Sequence, residues 1–246
     1  MTMPEKIRMI PLITIAIGSL AACNSNSPTA LVPSGPEYDP DIPTQWVAAV
    51  TNPYFPLIAG SSWSYESETD EGSETIEVVV LQEKKMIMGV EATIVHDQVF
   101  LDGDLIENTF DWYAQAANGD VWYLGEDTEE LEDGIVESTE GSFEWGVDGA
   151  LPGIIMWGNP AAHINEEYRQ EFLLGEAEDF GKVIRVAESI SIPFGDFDDC
   201  IVTDDRNGLE PGTLENKTSC PGIGVVFETH ILGGNQDVFL VDFQMP

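Results

Sequence analysis

Glu74-Thr75-Ile76-Glu77-Val78-Val79-Val80-Leu81-Gln82 puts Ile76, Val78 and Val80 on one side of an extended chain, because successive side chains of a strand leave opposite faces. Val90 to Leu101 repeats the pattern, with Val95, Val99 and Leu101 opposite Ile94 and Phe100. Asp102-Gly103-Asp104, Asn118-Gly119-Asp120, Asp133-Gly134 and Gly233-Gly234-Asn235 punctuate such runs with residues that tolerate the positive φ of tight hairpins. Trp63 to Trp145 therefore reads as an antiparallel meander. Runs of the same character recur at Tyr168 to Leu173, Val183 to Ile192, Phe197 to Asp204, Leu214 to Cys220, Gly224 to His230 and Val238 to Phe243. The expected fold is all-β: one antiparallel domain over residues 46–246, either a sandwich or a curved half-barrel sheet. A long irregular segment is expected near residues 152–165, where Pro152-Gly153 and Asn159-Pro160 act as breakers.

The N-terminal part has a different character. Lys6 and Arg8 precede the uncharged, mostly apolar stretch from Met9 to Ala22, which is shorter than the roughly 20 residues a membrane-spanning helix needs. The stretch closes on Leu20-Ala21-Ala22-Cys23, the pattern of a lipobox. Residues 1–22 are thus expected to be a lipoprotein signal peptide, and Cys23 the acylated (palmitate-bearing) first residue after cleavage. Two or three acyl chains give stable anchoring where one does not. Residues 23–45, with Pro28, Pro33, Pro36, Pro40 and Pro43, read as a Pro-rich tether. The expected address is the cell envelope, on the outer membrane or facing the periplasm if the host has two membranes.

Export also sets the redox environment. With Cys23 taken by lipid, Cys200 and Cys220 remain, equidistant from a turn at Glu210-Pro211-Gly212, and a disulfide across the hairpin is expected. The sequence carries 45 acidic residues against 9 basic ones, a net charge of −36, and loss of Glu5, Lys6 and Arg8 with the leader makes the remainder more negative still. Such a surface repels nucleic acid and anionic lipid headgroups, so contact with the membrane is expected through the anchor alone. Carboxylates bunch at Asp196, Asp198 and Asp199, where weak Ca²⁺ binding is the one cofactor expectation, although no EF-hand spacing is present.

Catalytic patterns are sparse. His96, His163 and His230 lie far apart, and there is no Gly-x-Ser-x-Gly elbow or phosphate-binding glycine loop. The region from His163 to Asp179, with Arg169 among several acids, is where a hydrolase would be sought; the bland reading of Arg169 is a structural cation pinned by Glu171 or Glu178. Adjacent aromatic pairs, Trp112-Tyr113 and Trp122-Tyr123, must point to opposite faces. Either the sheet is covered on both faces, or it curves around an aromatic-lined hollow. The candidate ligand-binding residues are Trp112, Trp122, Trp157, His163, Tyr168 and Arg169.

Several phrases together resemble a family of exported bacterial β-rich proteins and lipoproteins that carries no assigned activity. They are Asn52-Pro53-Tyr54-Phe55-Pro56-Leu57 with Trp63-x-Tyr65-Glu66, Asp111-Trp112-Tyr113-Ala114-Gln115, Tyr168-Arg169-Gln170-Glu171-Phe172 with Gly175-Glu176-Ala177-Glu178-Asp179, and Pro221-Gly222-Ile223-Gly224. The opening and closing phrases are more distantly similar to half-barrels of the lipoprotein-carrier type. The expected role is a non-catalytic binding or scaffolding module, for an unknown ligand or envelope protein; the alternatives are a carrier or sensor of an apolar, lipid-like ligand, and the hydrolase. Mass spectrometry of the protein extracted from membranes should find Cys23 N-terminal and carrying diacylglycerol, whereas an unprocessed soluble chain would dispose of the anchor.

Overall fold

A computed structural model describes residues 37–246 except Asn235; the expected signal peptide (1–22), Cys23 and the first part of the expected tether lie outside the described residues. Short strands β1 (Trp46–Val47), β2 (Val50–Asn52) and β3 (Phe55–Leu57) lead into the long meander β4 (Ser62–Glu68), β5 (Ser73–Ile87), β6 (Val90–Leu101), β7 (Asp104–Ala116) and β8 (Val121–Glu132). Three accessory strands follow, β9 (Ile135–Ser138), β10 (Phe143–Glu144) and β11 (Leu151–Met156). After a 3₁₀ turn at Pro160–His163 come β12 (Glu167–Arg169) and β13 (Glu171–Phe172). A second meander is formed by β14 (Asp179–Ile192), β15 (Gly195–Asn207), β16 (Leu214–Cys220), β17 (Gly224–Leu232) and β18 (Asp237–Gln244).

Two of the expected turns take paired positive φ, while at the other two only Gly119 and Gly233 do among the described residues. Asp102 and Gly103 take φ of 50° and 91°, and Asp133 and Gly134 take 53° and 73°, the paired positive values that match a tight hairpin to strand twist. The segment expected to be irregular from 152 onward first extends β11 to Met156, because Ile154 to Met156 are apolar and Ile154 pairs with Trp122. The irregular part is residues 157–166.

All the long strands belong to one antiparallel sheet, in the order β12-β14-β15-β16-β17-β18-β4-β5-β6-β7-β8-β11-β13. Its two end strands are neighbours in sequence, separated by Gln170, whose N–H donates to the Asp179 carbonyl at 2.9 Å. The sheet therefore curls almost closed into a half-barrel, the second of the two expected shapes. β18 pairs with β4 from Val238↔Ser67 to Gln244↔Ser62 and joins the two meanders.

Alternation divides the apolar residues between two clusters on opposite faces of β7 and β8. Tyr113, Val121 and Tyr123 belong to the inner cluster with Ile76, Val78 and Val95. Trp112, Ala114, Trp122 and Leu124 belong to the other, with Ile154, Tyr168 and Val183. The hairpin β15–β16 carries Ile201↔Ser219 in register, so Cys200 and Cys220 stand opposite and are bridged, with Cα atoms 4.2 Å apart. Closing a loop of this size is worth about 3 kcal/mol in the chain-entropy picture. Replacing both cysteines by serine should lower unfolding free energy by about that amount in denaturant titrations; two reactive thiols in the unreduced protein would show that the bridge does not form.

Candidate functional site

A cavity of about 400 Å³ opens on the tryptophan face of the sheet. Its apolar wall is made by Tyr38, Trp122, Ile154, Trp157, Tyr168 and Phe180, and Arg169 also lines it. These residues come from five places, Phe180 being supplied by β14. Trp122 and Ile154 are a cross-strand pair of β8 and β11. Trp157 is the first residue past β11; its carbonyl accepts from Asn52 Nδ2 at 3.0 Å, and the next N–H, of Gly158, donates to Asp120 Oδ1 at 2.8 Å. Tyr168 comes from β12 and meets Trp157 edge to face at 5.4 Å. Tyr38 comes from the Pro-rich arm: its hydroxyl donates to the Pro152 carbonyl at 2.7 Å and its ring meets Phe172. The tether is thus an ordered arm against the body from Glu37 onward.

The wall is apolar but not without hydrogen-bonding capacity. Trp122 Nε1, Trp157 Nε1 and the Tyr168 hydroxyl are buried and make no hydrogen bond within the described residues. Buried donors are nearly always satisfied, so three unsatisfied ones around a single cavity call for an acceptor. Glu37, Asp41, Asp120 and Glu167 also line the cavity and make its surroundings acidic.

Of the six candidates read from the sequence, Trp122, Trp157, Tyr168 and Arg169 line the cavity. His163 stands behind it, stacked on Trp157 with centroids 3.9 Å apart and paired with Glu166 at 2.8 Å. Trp112 shares the face but lies under Lys85, whose Nζ is 3.0 Å from the ring centroid, outside the cavity lining. Arg169 is held by Glu178 at 3.4 Å, both side chains buried, and packs over Phe172 and Phe180. His163 and Arg169 are thus each engaged by their own carboxylate. His96 is a structural residue, stacked on Phe110 and hydrogen-bonded to Asn108. Asp196 and Asp198 accept from Ser191 and Ser189 at the exposed end of the β14–β15 hairpin, next to Asp199.

Sequence reasoning missed the inner face of the half-barrel. Glu74 shares a strand face with Ile76 and Val78, Asp97 with Val95 and Val99, and Glu228 with Val226, so these acids point where the apolar residues point. A bulge in β8, between Trp112↔Gly125 and Tyr113↔Tyr123, turns both Tyr123 and Glu126 inward, and the Tyr123 hydroxyl donates to Asp111 at 2.7 Å. Glu171, Asp179, Asp205 and Glu215 extend the buried acidic belt across β13 to β16. Lys217, within the belt, lies 3.5 Å from Asp205 and 3.8 Å from Glu228. Burial alone would lower its pKa, but Glu228, Asp205 and Glu215 raise it above the usual lysine range. The signal that could have found the belt is charge at apolar-phase positions, such as Asp97 between Val95 and Val99.

Burial favours the protonated form at Glu74, Asp97, Glu171 and Asp179. Desolvation, then the charge of Glu228, raises Glu74 to about 8; desolvation first and neighbouring acids second also raise Asp97, Glu171 and Asp179.

No family model matches the chain, and no curated protein matches it in sequence. Two solved structures are similar in shape. One is a Bacteroides fragilis protein described as exported and as having a YmcC-like fold, 10% identical, with a TM-score of 0.45, covering 78% of this chain and 99% of its own. The other is a Parabacteroides distasonis protein described as a lipoprotein, 11% identical, with a TM-score of 0.42 and the same shares of each chain.

A carboxyl whose pKa is higher folded than unfolded stabilises the fold below its unfolded pKa, and that stabilisation is lost as pH rises through the folded value. For Glu74 the window runs from 4.5 to about 8. Thermal melts should therefore show Tm falling across this range, with a shallower fall in Glu74→Gln; parallel profiles for the two proteins would contradict the assignment.

Proposed function

We propose that this chain is an envelope-anchored lipoprotein whose folded body is a non-catalytic carrier or sensor, holding a small apolar or lipid-like ligand in the cavity beside Trp122, Trp157 and Tyr168. The observation that carries this reading is the convergence of those three side chains, from separate parts of the chain, on one cavity with their polar hydrogens unsatisfied. Aromatic walls supply contact area, and the three donors select a guest with an acceptor, such as a carbonyl or ether oxygen. The cavity's volume, about 400 Å³, is within the usual range for small-molecule sites. Glu37, Asp41, Asp120 and Glu167 disfavour an anionic guest. Engagement of Arg169 by Glu178 supports this exclusion, because its charge is already committed.

Anchoring at Cys23 would hold the cavity near the membrane surface, where apolar guests are concentrated. Trp157 lies in a loop rather than in the sheet and can be truncated with the least disturbance to the fold. The neutral, carbonyl-bearing naphthalene dye prodan should bind the full chain with one site and a fluorescence change. Trp157→Ala should weaken it by about tenfold, corresponding to roughly 1.4 kcal/mol. Equal affinity of wild type and variant, or no saturable binding, would refute the cavity as the site.

A further inference from the structure

The inner face carries a second site, separate from the aromatic cavity and independent of its reading. Glu215 of β16 and His230 of β17 are directly paired across the antiparallel ladder, and Glu228 lies two residues before His230 on the same face. The register therefore presents two carboxylates and one imidazole to a common point. Glu215 Oε1 is 3.3 Å and Glu228 Oε1 is 3.9 Å from His230 Nε2. One donor atom from each of the three residues lies within 4.8 Å of the others, and among the described residues this is the only group of three or more potential ligands so arranged.

Three features separate this group from an ordinary run of acids. Both glutamate side chains have 0% exposure, and apart from the contact between the two carboxyls themselves their four oxygens meet no hydrogen-bond donor within the described residues. Lys217 approaches Glu228 through Oε2, at 3.8 Å, and leaves Oε1 turned toward the imidazole. Lys217 is shared between Asp205, at 3.5 Å, and Glu228, at 3.8 Å, so among the described residues the nearest basic group to Glu215 is the imidazole of His230. The imidazole presents Nε2 to the glutamates, and its other side has little room, because a Cβ at Gly234 would lie 2.6 Å from Nδ1.

We infer that Glu215, Glu228 and His230 bind a divalent first-row transition-metal ion inside the half-barrel. Metal–ligand bonds of about 2.0–2.2 Å in a tetrahedral site set ligand atoms about 3.3–3.6 Å apart, so the observed separations need only small adjustments. A neutral imidazole with two carboxylates suits Zn²⁺, Mn²⁺ or Fe²⁺, whereas Ca²⁺ takes all-oxygen shells. A divalent ion would displace any proton from the two glutamates and balance their charge. Lys217, on the outer oxygen of Glu228, orients that ligand as outer-shell partners do in metal sites.

The test uses the full chain, stripped with chelator and titrated with Zn²⁺ by calorimetry and with Co²⁺ by visible absorption. One equivalent should bind in each case, and Co²⁺ should develop d–d bands. His230→Ala and Glu215→Gln should each weaken Zn²⁺ binding by at least about tenfold, while Asp198→Asn, at the exposed hairpin, should leave it unchanged. Circular dichroism of each variant, together with the direct Co²⁺ spectrum of the unsubstituted chain, keeps the question decidable if one substitution prevents folding. Absence of Zn²⁺ uptake by the stripped wild-type chain at millimolar metal, wild-type affinity in folded His230→Ala, or Ca²⁺ binding as tight as Zn²⁺ would each overturn the assignment.

Discussion

Pairing of the last strand with the first long one governs this molecule. β18 lies against β4, joining the N-terminal and C-terminal meanders into a single sheet, and the consecutive pieces β12 and β13 bring its two ends together. A flat sheet of these strands would leave one face in water. Curled almost closed, it removes the inner face from solvent, so every side chain pointing inward is desolvated whatever its chemistry.

That constraint explains the coexistence of an apolar cluster and an acidic belt on the same face. Tyr113, Tyr123 and the valines of β5 and β6 supply the burial that holds the sheet together, and the acids above them work against it. Buried carboxyls without partners are tolerated when they hold a proton or meet a cation. Both solutions are present along the belt: Glu74 is pushed toward protonation, whereas Asp205 and Glu228 share Lys217. Glu215 and Glu228 are distinguished from the other acids by the imidazole directed between them.

The outer face of β7 and β8 meets a different demand. Its tryptophans are covered by pieces of chain that come from elsewhere: the arm at Tyr38, the loop at Trp157 and the strand at Tyr168. Cover assembled from three separate segments packs less completely than a continuous sheet, and the cavity is the space left between them. Asn52 and Asp120 hold the Trp157 loop in place through its backbone, so the cavity wall is fixed by polar contacts remote from the rings themselves.

Much of the architecture was legible locally. Alternation at Ile76, Val78 and Val80 marks β5, paired positive-φ residues at Asp102-Gly103 mark the hairpin, and two cysteines equidistant from a turn face each other. Trp122, Trp157, Tyr168 and Arg169 could be named as candidates from composition and neighbourhood, but their meeting around one cavity depends on how β11 pairs with β8 and β12 with β14. Glu215, Glu228 and His230 were not legible as a group. Glu228 falls in phase with the apolar Val226, but its meeting with Glu215 and His230 depends on the β16–β17 register, and only sheet closure takes their face out of water. By itself the sequence determined the strands, their turns and the Cys200–Cys220 bridge, because these follow from neighbours along the chain. Which side of the sheet water reaches, and so which polar residues become a site, was decided by tertiary structure, because register and curvature arise from contacts between strands far apart in sequence.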